Sequence, residues 1–404
     1  MYELTRLKSR RTRIVATLGP ASSDASVIAE LIAAGANVFR LNMSHGDHAS
    51  HAAAYETVRS VSEEMQIPVA ILADLCGPKI RVGRFRDGGI DLEAGSEVTV
   101  TTRDVVGEPG LIPSQYDKLA EDVAVGQRLL LADGLMSLEV LSIEGTEVRC
   151  RVIDGGRLTE RKGINLPDSE VSAPCLTEKD REDAVFCAGL GVDFMALSFV
   201  CRGSDVTELA ELLEGEGCRA GIIAKIERPE AVRRIDEILE VATGIMVARG
   251  DLGVELPAER VPATQQYLVD RARQQHRPVI VATQMLESMI DNPRPTRAEV
   301  TDVAHSVAMG ADAVMLSAET AAGAYPLQAV QTMDRVARET EAYLWTTGQF
   351  DALRREREAE PPRPFGVAVG RATALLSRDL MVRAIFVTSR SGQSAVEVCG
   401  ERPA

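Results

Sequence analysis

Ile222-Ile223-Ala224-Lys225-Ile226-Glu227 is a run of branched apolar residues that ends in a lysine and a glutamate. Such a run is typical of a strand that is buried on both faces in a parallel sheet covered by helices. Because side chains two apart on a strand share a face, Lys225 and Glu227 should project together at its carboxyl end. A buried charge is costly unless it is paired, so the two residues indicate either a structural ion pair or a functional site.

Three later stretches repeat this pattern of an apolar run that ends in polar residues. They are residues 245–251, 278–283 and 313–317. Each run ends in a polar residue, and from Lys225 onward these terminal residues follow one another at intervals of roughly thirty positions. That interval is the length of a strand and a helix with their loops. The spacing predicts a repeated βα unit.

Three strands of the same kind are predicted near the amino terminus, at residues 13–18, 36–44 and 69–73. The repeat then breaks, because the next such strand is at residues 194–198. Residues 83–162 instead alternate polar and apolar side chains between glycines, which is typical of a small all-β domain. Without this insert, eight strand candidates remain in about 260 residues, the size of a (β/α)8 TIM barrel.

The predicted fold class is therefore α/β, with a (β/α)8 TIM barrel formed by residues 1–82 and 163–345. Residues 83–162 form an inserted small β-barrel lid domain. Residues 346–364 are charged and rich in proline, and are interpreted as a linker. Residues 365–404 are predicted to form a partial C-terminal α/β domain.

Composition excludes several kinds of partner. The chain has 404 residues, 45% hydrophobic, 26% charged and 4% aromatic, as expected of a soluble α/β protein. Its net charge of −15 disfavours nucleic acid and anionic membranes, so local positive charge must hold any anionic ligand. The early apolar run, residues 14–18, is too short for a signal peptide, and no segment approaches membrane-spanning length. Seven cysteines without CxxC spacing favour a reducing cytoplasm.

The polar residues are predicted to gather at the carboxyl ends of the strands, where such barrels place their chemistry. Glu227 and Asp251 would supply hard oxygen ligands from adjacent strand ends, which suits Mg²⁺ or Mn²⁺ and argues against zinc. Arg40, Arg81 and Lys225 would bring three cations to the same rim. Carboxylates, a divalent ion and several cations are the parts of a phosphoryl-transfer site.

Other motifs are less specific. Gly250 lies at a predicted strand-to-helix turn, where it would let an anion approach the main chain closely. There is no GxxxxGK[ST] loop and no GxGxxG after a strand, so any nucleotide must be held in another way. His45, His48 and His51 have the spacing of a helix face and could ligate a metal, but solvated histidines explain the spacing as well.

With these residues assembled, the chain resembles pyruvate kinase from about Arg13 to Glu341. That family transfers the phosphoryl group of phosphoenolpyruvate to ADP, giving pyruvate and ATP in the last step of glycolysis. The resemblance thus implies a phosphotransferase with phosphoenolpyruvate and ADP or ATP as its small-molecule partners. It is carried by residues 39–46 (FRLNMSHG), 74–81 (DLCGPKIR), 162–167 (KGINLP), 224–227 (AKIE), 246–253 (MVARGDLG), 282–289 (ATQMLESM) and 314–320 (VMLSAET).

The resemblance implies a role for each matching residue at the barrel mouth. Arg40 would grip the phosphate, and Lys225 would offset charge on the transferring group and the developing enolate. Thr283, the third implied catalytic residue, would lie near the water that protonates the enolate. Glu227 and Asp251 would hold Mg²⁺ or Mn²⁺. The implied substrate-binding residues are Arg40, Lys225, Gly250, Asp251 and Thr283.

The resemblance also assigns the nucleotide site and the quaternary structure. Arg81, Lys162 and His45 would contact the nucleotide, and the inserted domain would close over it as a lid that excludes water. A homo-oligomer is expected, because the family is usually tetrameric.

Two departures from the family pattern matter. The first concerns K⁺, for which Asn42, Ser44, Asp74 and Leu75 match the family's cation-ligand positions. Many members that need K⁺ carry a threonine in place of Leu75 and a glutamate in place of Lys79. A fixed ammonium near the site could replace the monovalent ion, so activity without K⁺ is expected, with a weakened K⁺ site as the alternative.

The second departure is the carboxyl terminus, because family members continue well beyond Glu401. A strand is predicted at residues 383–387, followed by a loop at residues 389–394 that resembles one side of a sugar-phosphate pocket. The other side is missing from the sequence, so activation by fructose bisphosphate is not expected.

Two alternative functions stay open. A metal-dependent lyase or aldolase acting on pyruvate would share the carboxylate pair, but it would not need a nucleotide clamp formed by Arg81 and Lys162. A catalytically silent paralogue could act as a regulatory subunit, but retention of Lys225, Glu227 and Asp251 counts against that interpretation.

Overall fold

The computed structural model describes residues 10–347, 364–380, 382, 384–401 and 403. In chain order its strands are β1 Arg13–Thr17, β2 Val38–Asn42, β3 Ala70–Asp74, β4 Gly89–Leu92, β5 Glu97–Thr101, β6 Leu111–Pro113, β7 Arg128–Leu131, β8 Met136–Glu144, β9 Glu147–Asp154, β10 Gly156–Thr159, β11 Ile164–Asn165, β12 Phe194–Leu197, β13 Gly221–Ile226, β14 Gly244–Ala248, β15 Val279–Ala282 and β16 Ala313–Leu316.

The helices alternate with the strands outside residues 83–162. They are Ala25–Ala34, His48–Met65, Leu119–Asp122, Glu178–Leu190, Gly203–Gly215, Pro229–Arg233, Ile235–Val241, Arg249–Glu255, Val261–Gln274, Arg297–Met309, Ala318–Ala321, Pro326–Thr346, Phe365–Asp379 and Gln393–Gly400, with short 3-10 turns at Ala258–Arg260 and Glu287–Ile290. None of these described helices is long and apolar enough to cross a membrane.

Eight parallel strands close into a barrel in the order β1, β16, β15, β14, β13, β12, β3 and β2. Most of their residues are buried, as the continuous apolar runs predicted, and all five residues of β14 are buried. One set of apolar side chains fills the interior of the ring, and a larger set packs between the strands and the helices. The predicted TIM barrel is confirmed, and its parallel strands bring their carboxyl ends to one mouth.

Local sequence signals start and stop the surrounding helices. Thr177 and Thr296 are the N-caps of two helices, and their side chains accept hydrogen bonds from the backbone N–H of Asp180 and of Glu299, respectively. The side chains of Asp180 and Glu299 accept in turn from the backbone N–H of these threonines, which completes both capping boxes. Gly35 ends the first helix in the left-handed region, with φ 110°. These signals fix the lengths of the βα units and therefore the positions of the strand ends.

The insert between β3 and β12 is built mostly of strands. One sheet has the order β11, β7, β8, β9, β5 and β6, and β10 pairs with β4 in a second sheet. Both sheets share a hydrophobic core separate from that of the barrel. β11 pairs with β7 in this sheet, so the inserted sheet extends past residue 162 to Asn165. The division at residues 83 and 162 stays a prediction.

Two helices, Phe365–Asp379 and Gln393–Gly400, pack together in the carboxyl-terminal part. The strand predicted at residues 383–387 is wrong for its described residues, because residues 384–387 have no regular structure. A strand needs a neighbour to accept its backbone hydrogen bonds, and none pairs with this segment in the described residues. Phe386 is accordingly 95% exposed. Most of the predicted linker at residues 346–364 lies outside the described residues.

Candidate active site

Four charged side chains form a continuous chain of alternating sign at the barrel mouth. Lys225 Nζ lies 2.9 Å from Glu227 Oε1 and 3.3 Å from Asp74 Oδ1. Arg40 Nε donates to Asp74 Oδ2 at 2.6 Å. The pairing of Lys225 with Glu227 was expected from their shared strand face. The contacts of Asp74 join them to Arg40, which lies in a different strand.

Burial makes these charges depend on one another. The side chains of Asp74 and Glu227 are 1% exposed, and those of Arg40 and Lys225 are 11% and 12% exposed. Burial alone would lower the pKa of Lys225, but the charges of Asp74 and Glu227 outweigh it and raise that pKa. Burial also opposes ionisation of Asp74, yet Lys225 and Arg40 hold the pKa of Asp74 below its ordinary value. The lysine therefore stays cationic and Asp74 anionic near neutral pH.

Glu227 and Asp251 are the two carboxylates of the predicted metal site. Glu227 follows β13, and Asp251 lies in the helix Arg249–Glu255 directly after β14. The backbone N–H of Phe199 donates to Glu227 Oε2 at 2.7 Å. Burial raises the pKa of Glu227, Lys225 opposes that shift, and the negative charge of Asp251 adds to it. The two carboxylates are therefore close enough to repel each other.

This arrangement fits a magnesium ion. Mg²⁺ prefers oxygen ligands and is usually held by one or two carboxylates, with water and substrate phosphate oxygens completing its shell. Each oxygen of Glu227 accepts one contact and so keeps a further lone pair. A cation there would relieve the repulsion between Glu227 and Asp251. Within the described residues no group of three or more His, Cys, Asp or Glu side chains could hold a metal ion.

Gly250 and Thr283 meet where β14 and β15 end. The backbone N–H of Gly250 donates to Thr283 Oγ1 at 2.7 Å. Thr283 has φ 71° and Gln284 has φ 53°, and a left-handed conformation is unusual for a β-branched residue. Arg249 supports this backbone by donating through Nη2 to the carbonyl oxygen of Thr283 at 2.6 Å. Such strain costs about 1–3 kcal/mol and concentrates at functional sites.

The four predicted monovalent-cation positions lie at the ends of β2 and β3. Asn42 Oδ1 accepts a hydrogen bond from the backbone N–H of Ser44 at 3.2 Å. Leu75 is buried, and both oxygens of Asp74 face the cations described above. The positions stay a predicted K⁺ site.

Lys79 points toward the proposed metal site. Its Nζ lies 3.9 Å from Asp251 Oδ1, and the side chains of Lys79 and Asp251 are about one third exposed. A fixed ammonium is therefore present within ion-pair distance of a proposed metal ligand.

The predicted nucleotide-binding residues lie apart from the buried ion pairs. Arg81 donates through Nη1 to the carbonyl oxygen of Arg161 at 3.1 Å, and Lys162 is exposed beside it. His45 is exposed, and its carbonyl oxygen accepts from His51 Nε2 at 2.8 Å. Among the described residues, none of the three predicted nucleotide contacts touches the chain of four charged side chains.

The alternative metal site at the three histidines is wrong for the described residues. His48 Nε2 contacts Asp183 Oδ1 at 2.7 Å, and its ring stacks on Phe186 at 4.0 Å. His51 instead turns toward the His45 backbone. The helix begins at His48, so His45 stays in the preceding loop and the three rings do not share a face.

Two site contacts were not anticipated from the sequence. Lys225 Nζ donates to Ser198 Oγ at 2.7 Å, and the Phe199 backbone amide holds Glu227. Ser198 follows β12, and its position at a strand end was the available signal. Phe199 contributes only its backbone, at φ 57°, which its residue type does not reveal.

Comparisons with known proteins agree with this geometry. The profile of the family described as "PK: Pyruvate kinase, barrel domain" matches residues 9–330. A pyruvate kinase from Mycobacterium intracellulare is 52% identical over 328 residues, covering 81% of this chain and 70% of that protein. One from Geobacillus stearothermophilus is 46% identical over 397 residues, covering 98% of this chain and 67% of that protein.

A solved structure shares the fold over nearly the whole chain. The crystal structure of a pyruvate kinase from Cryptosporidium parvum superposes with a TM-score of 0.93 at 36% identity, covering 99% of this chain and 82% of that one. The chain spans about two thirds of the length of several curated relatives, including one from Sporosarcina psychrophila at 45% identity. The barrel, its charged mouth and these matches show that the chain belongs to the pyruvate kinase family.

Proposed function

We propose that this protein transfers the phosphoryl group of phosphoenolpyruvate to ADP, and that the buried charges at the barrel mouth do the main catalytic work. The observation that carries the proposal is the chain formed by Arg40, Asp74, Lys225 and Glu227. It presents two cations, fixed by buried carboxylates, at the end of a barrel where such enzymes bind their substrates. A phosphoryl group in transfer is anionic, and preorganised charge is what stabilises it.

In the proposed reaction an oxygen of the ADP β-phosphate attacks the phosphorus of phosphoenolpyruvate. The bond between phosphorus and the enol oxygen breaks, and its electron pair stays on the enolate. Arg40 binds the phosphate oxygens, and Lys225 offsets charge on the transferring group and on the enolate oxygen. Because Asp74 holds both cations in place, little reorganisation is needed when the charge moves.

The enolate then takes up a proton at carbon to give pyruvate. We assign this end of the substrate to the strained turn, with Gly250, Asp251 and Thr283 around the substrate carboxylate. The Thr283 hydroxyl accepts from Gly250 and donates to the Ala282 carbonyl oxygen at 2.6 Å, so it is fixed in direction. A hydroxyl fixed in this way can orient the water that delivers the proton.

Glu227 and Asp251 are the residues that would hold a divalent ion, Mg²⁺ or Mn²⁺. When bound, such an ion supplies positive charge to the phosphate oxygens and templates the substrate. The protein's own part is to place the two carboxylates next to each other, and Lys225 favours the charged form of Glu227 against the burial that raises its pKa.

Arg81, Lys162 and His45 are proposed to contact the nucleotide under the inserted domain. Lys162 and His45 are exposed and Arg81 is half-buried, which suits groups that meet a ligand only after the insert moves over it. Lys79 is proposed to replace the monovalent cation, because its ammonium already lies near Asp251. We further propose a cytoplasmic homo-oligomer, consistent with seven free cysteines.

The test is pyruvate formation from phosphoenolpyruvate, with and without ADP and Mg²⁺. Phosphotransfer predicts turnover that needs both and that is lost in Lys225→Met. Pyruvate release without ADP would favour the lyase alternative. Absence of turnover in a folded protein that still binds phosphoenolpyruvate would favour the regulatory subunit.

A further inference from the structure

Two attachments, with three hydrogen bonds in all, fasten the returning end of the insert to the barrel. Asn165, the last residue of β11, donates through Nδ2 to Glu255 Oε1 at 3.0 Å. Arg228 donates through Nη2 to the carbonyl oxygens of Leu166, at 3.5 Å, and Ser169, at 3.1 Å. Both contacts fall within a few residues of the point where the chain leaves the inserted sheet.

The barrel residues in these contacts lie next to the two carboxylates of the proposed metal site. Arg228 directly follows Glu227. Glu255 ends the short helix Arg249–Glu255, whose first turn contains Asp251. The returning strand of the insert is therefore attached to both elements that present the carboxylates.

These contacts are buried and only partly satisfied. Glu255 is 6% exposed and Arg228 is 7% exposed. Glu255 Oε2 has no hydrogen-bond partner among the described residues, and a buried acceptor without a donor is costly. An attachment through one oxygen of a half-satisfied carboxylate is easier to release than one in which both oxygens are bonded.

A small cavity lies at the same place. Both crossings of the chain between barrel and insert line it, and its volume is about 30 Å³. Pro78 and Ile80 line it from the outgoing crossing, and Ile164 and Leu166 from the returning one. Glu255 and Arg228 also line this cavity, so a rotation of the insert would act directly on the two attachments.

We propose that Asn165, Glu255 and Arg228 are positioning residues that couple the insert to the barrel mouth. The inference rests on the proposed function, in which phosphoenolpyruvate and the divalent ion bind near Glu227 and Asp251. Binding there fixes the end of β13 and the helix Arg249–Glu255, and the attachments pass that restraint to the insert. Because coupling between sites is reciprocal, closure of the insert would in turn hold the two carboxylates in place.

The test is hydrogen exchange of the intact chain, with and without phosphoenolpyruvate and Mg²⁺. In the wild type these ligands should slow exchange around residues 156–166 by about five-fold or more, although they bind in the barrel. Asn165→Ala and Glu255→Leu should lose this slowing while they still bind phosphoenolpyruvate. Glu255→Leu removes the buried charge together with the contact, so it guards against misfolding caused by an unpaired carboxylate.

Two matched variants sharpen the result. Glu255→Gln keeps an acceptor for Asn165 and should keep the slowing. Glu147→Leu removes a polar contact to Arg103 inside the insert, without touching the barrel, and should also keep the slowing.

The possible failures are distinguishable. If the wild type binds no phosphoenolpyruvate with Mg²⁺, the proposed function and this inference both fall. The inference alone is overturned if the wild type binds these ligands but they change hydrogen exchange in the insert equally in the wild type, Asn165→Ala and Glu255→Leu.

Discussion

The barrel mouth and the inserted domain both carry many charged residues, but they use them differently. In the mouth, Asp74 and Glu227 are 1% exposed and are fixed against Lys225. In the insert, the pair formed by Arg149 and Glu97 leaves 62% and 47% of its side chains exposed. Exposed pairs contribute little to stability, whereas breaking a buried pair is strongly destabilising. The mouth is therefore organised by folding, while the nucleotide side is proposed to form only when the insert moves.

The largest expected effect comes from Lys225→Met, which breaks the buried chain at its centre. We expect turnover to fall by about 10³-fold, because a preorganised positive charge is lost from the transferring group. Unfolding free energy should fall by about 3–5 kcal/mol, since Asp74 and Glu227 lose their shared cation. Steady-state kinetics and urea unfolding measure the two losses. Lys118→Met, at an exposed lysine of the insert, is the control.

A smaller and more selective effect is expected from Arg81→Ala and Lys162→Ala. Each should raise KM for ADP by about ten-fold, the equivalent of one charge-assisted hydrogen bond of about 1.5 kcal/mol. KM for phosphoenolpyruvate should stay unchanged, and stability should change by no more than about 0.5 kcal/mol, because neither side chain is buried. An equal rise in both KM values would contradict the division between the two regions.

Glu255→Gln should alter the pH dependence of stability. Burial raises the pKa of Glu255 above its ordinary value of 4.5, against opposing contributions from Arg228 and Asn165. A carboxyl whose pKa rises on folding stabilises the protein fully below its ordinary pKa, and this contribution is lost as pH rises through the raised value. Urea unfolding from pH 4.5 upward should therefore show a smaller decline in the variant than in the wild type. Identical profiles would show that this carboxyl does not titrate differently on folding.

The smallest expected effect is that of K⁺. In a buffer free of K⁺ and Na⁺, added KCl should produce no many-fold rise in wild-type activity, because Lys79 already lies 3.9 Å from Asp251. Lys79→Glu should create a dependence on KCl. A many-fold rise in wild-type activity on adding KCl would contradict this prediction and favour a K⁺ site formed by Asn42, Ser44 and Asp74.

The fold could be predicted from the sequence because the patterns that determine it lie within short stretches of the chain. Most barrel strands are continuous apolar runs that end in polar residues, and the spacing of the runs gives the βα unit. β6 and β11 have three and two residues, too few for an alternating pattern to show. The segment at residues 383–387 shows the converse limit, because a strand-like sequence does not form a strand without a neighbour.

The candidate site could be predicted only in part, because some of its contacts join residues that are distant in the sequence. Lys225 and Glu227 share one strand, so period-two alternation brings them together. Asp74 reaches Lys225 from β3, which is separated from β13 by β12, and only the closed ring sets that distance. The attachments at Asn165 and Arg228 depend on how the insert returns to the barrel, which no local pattern encodes.

The central claim is that the buried charges at the barrel mouth surround a divalent ion and the transferable phosphate. Crystals grown with Mn²⁺ and phosphoenolpyruvate test it most directly through anomalous scattering from the metal. The account predicts one manganese peak coordinated by Glu227 and Asp251, with the substrate phosphate against Arg40 and Lys225. A peak away from these carboxylates, or a phosphate bound without contact to Lys225, would contradict it.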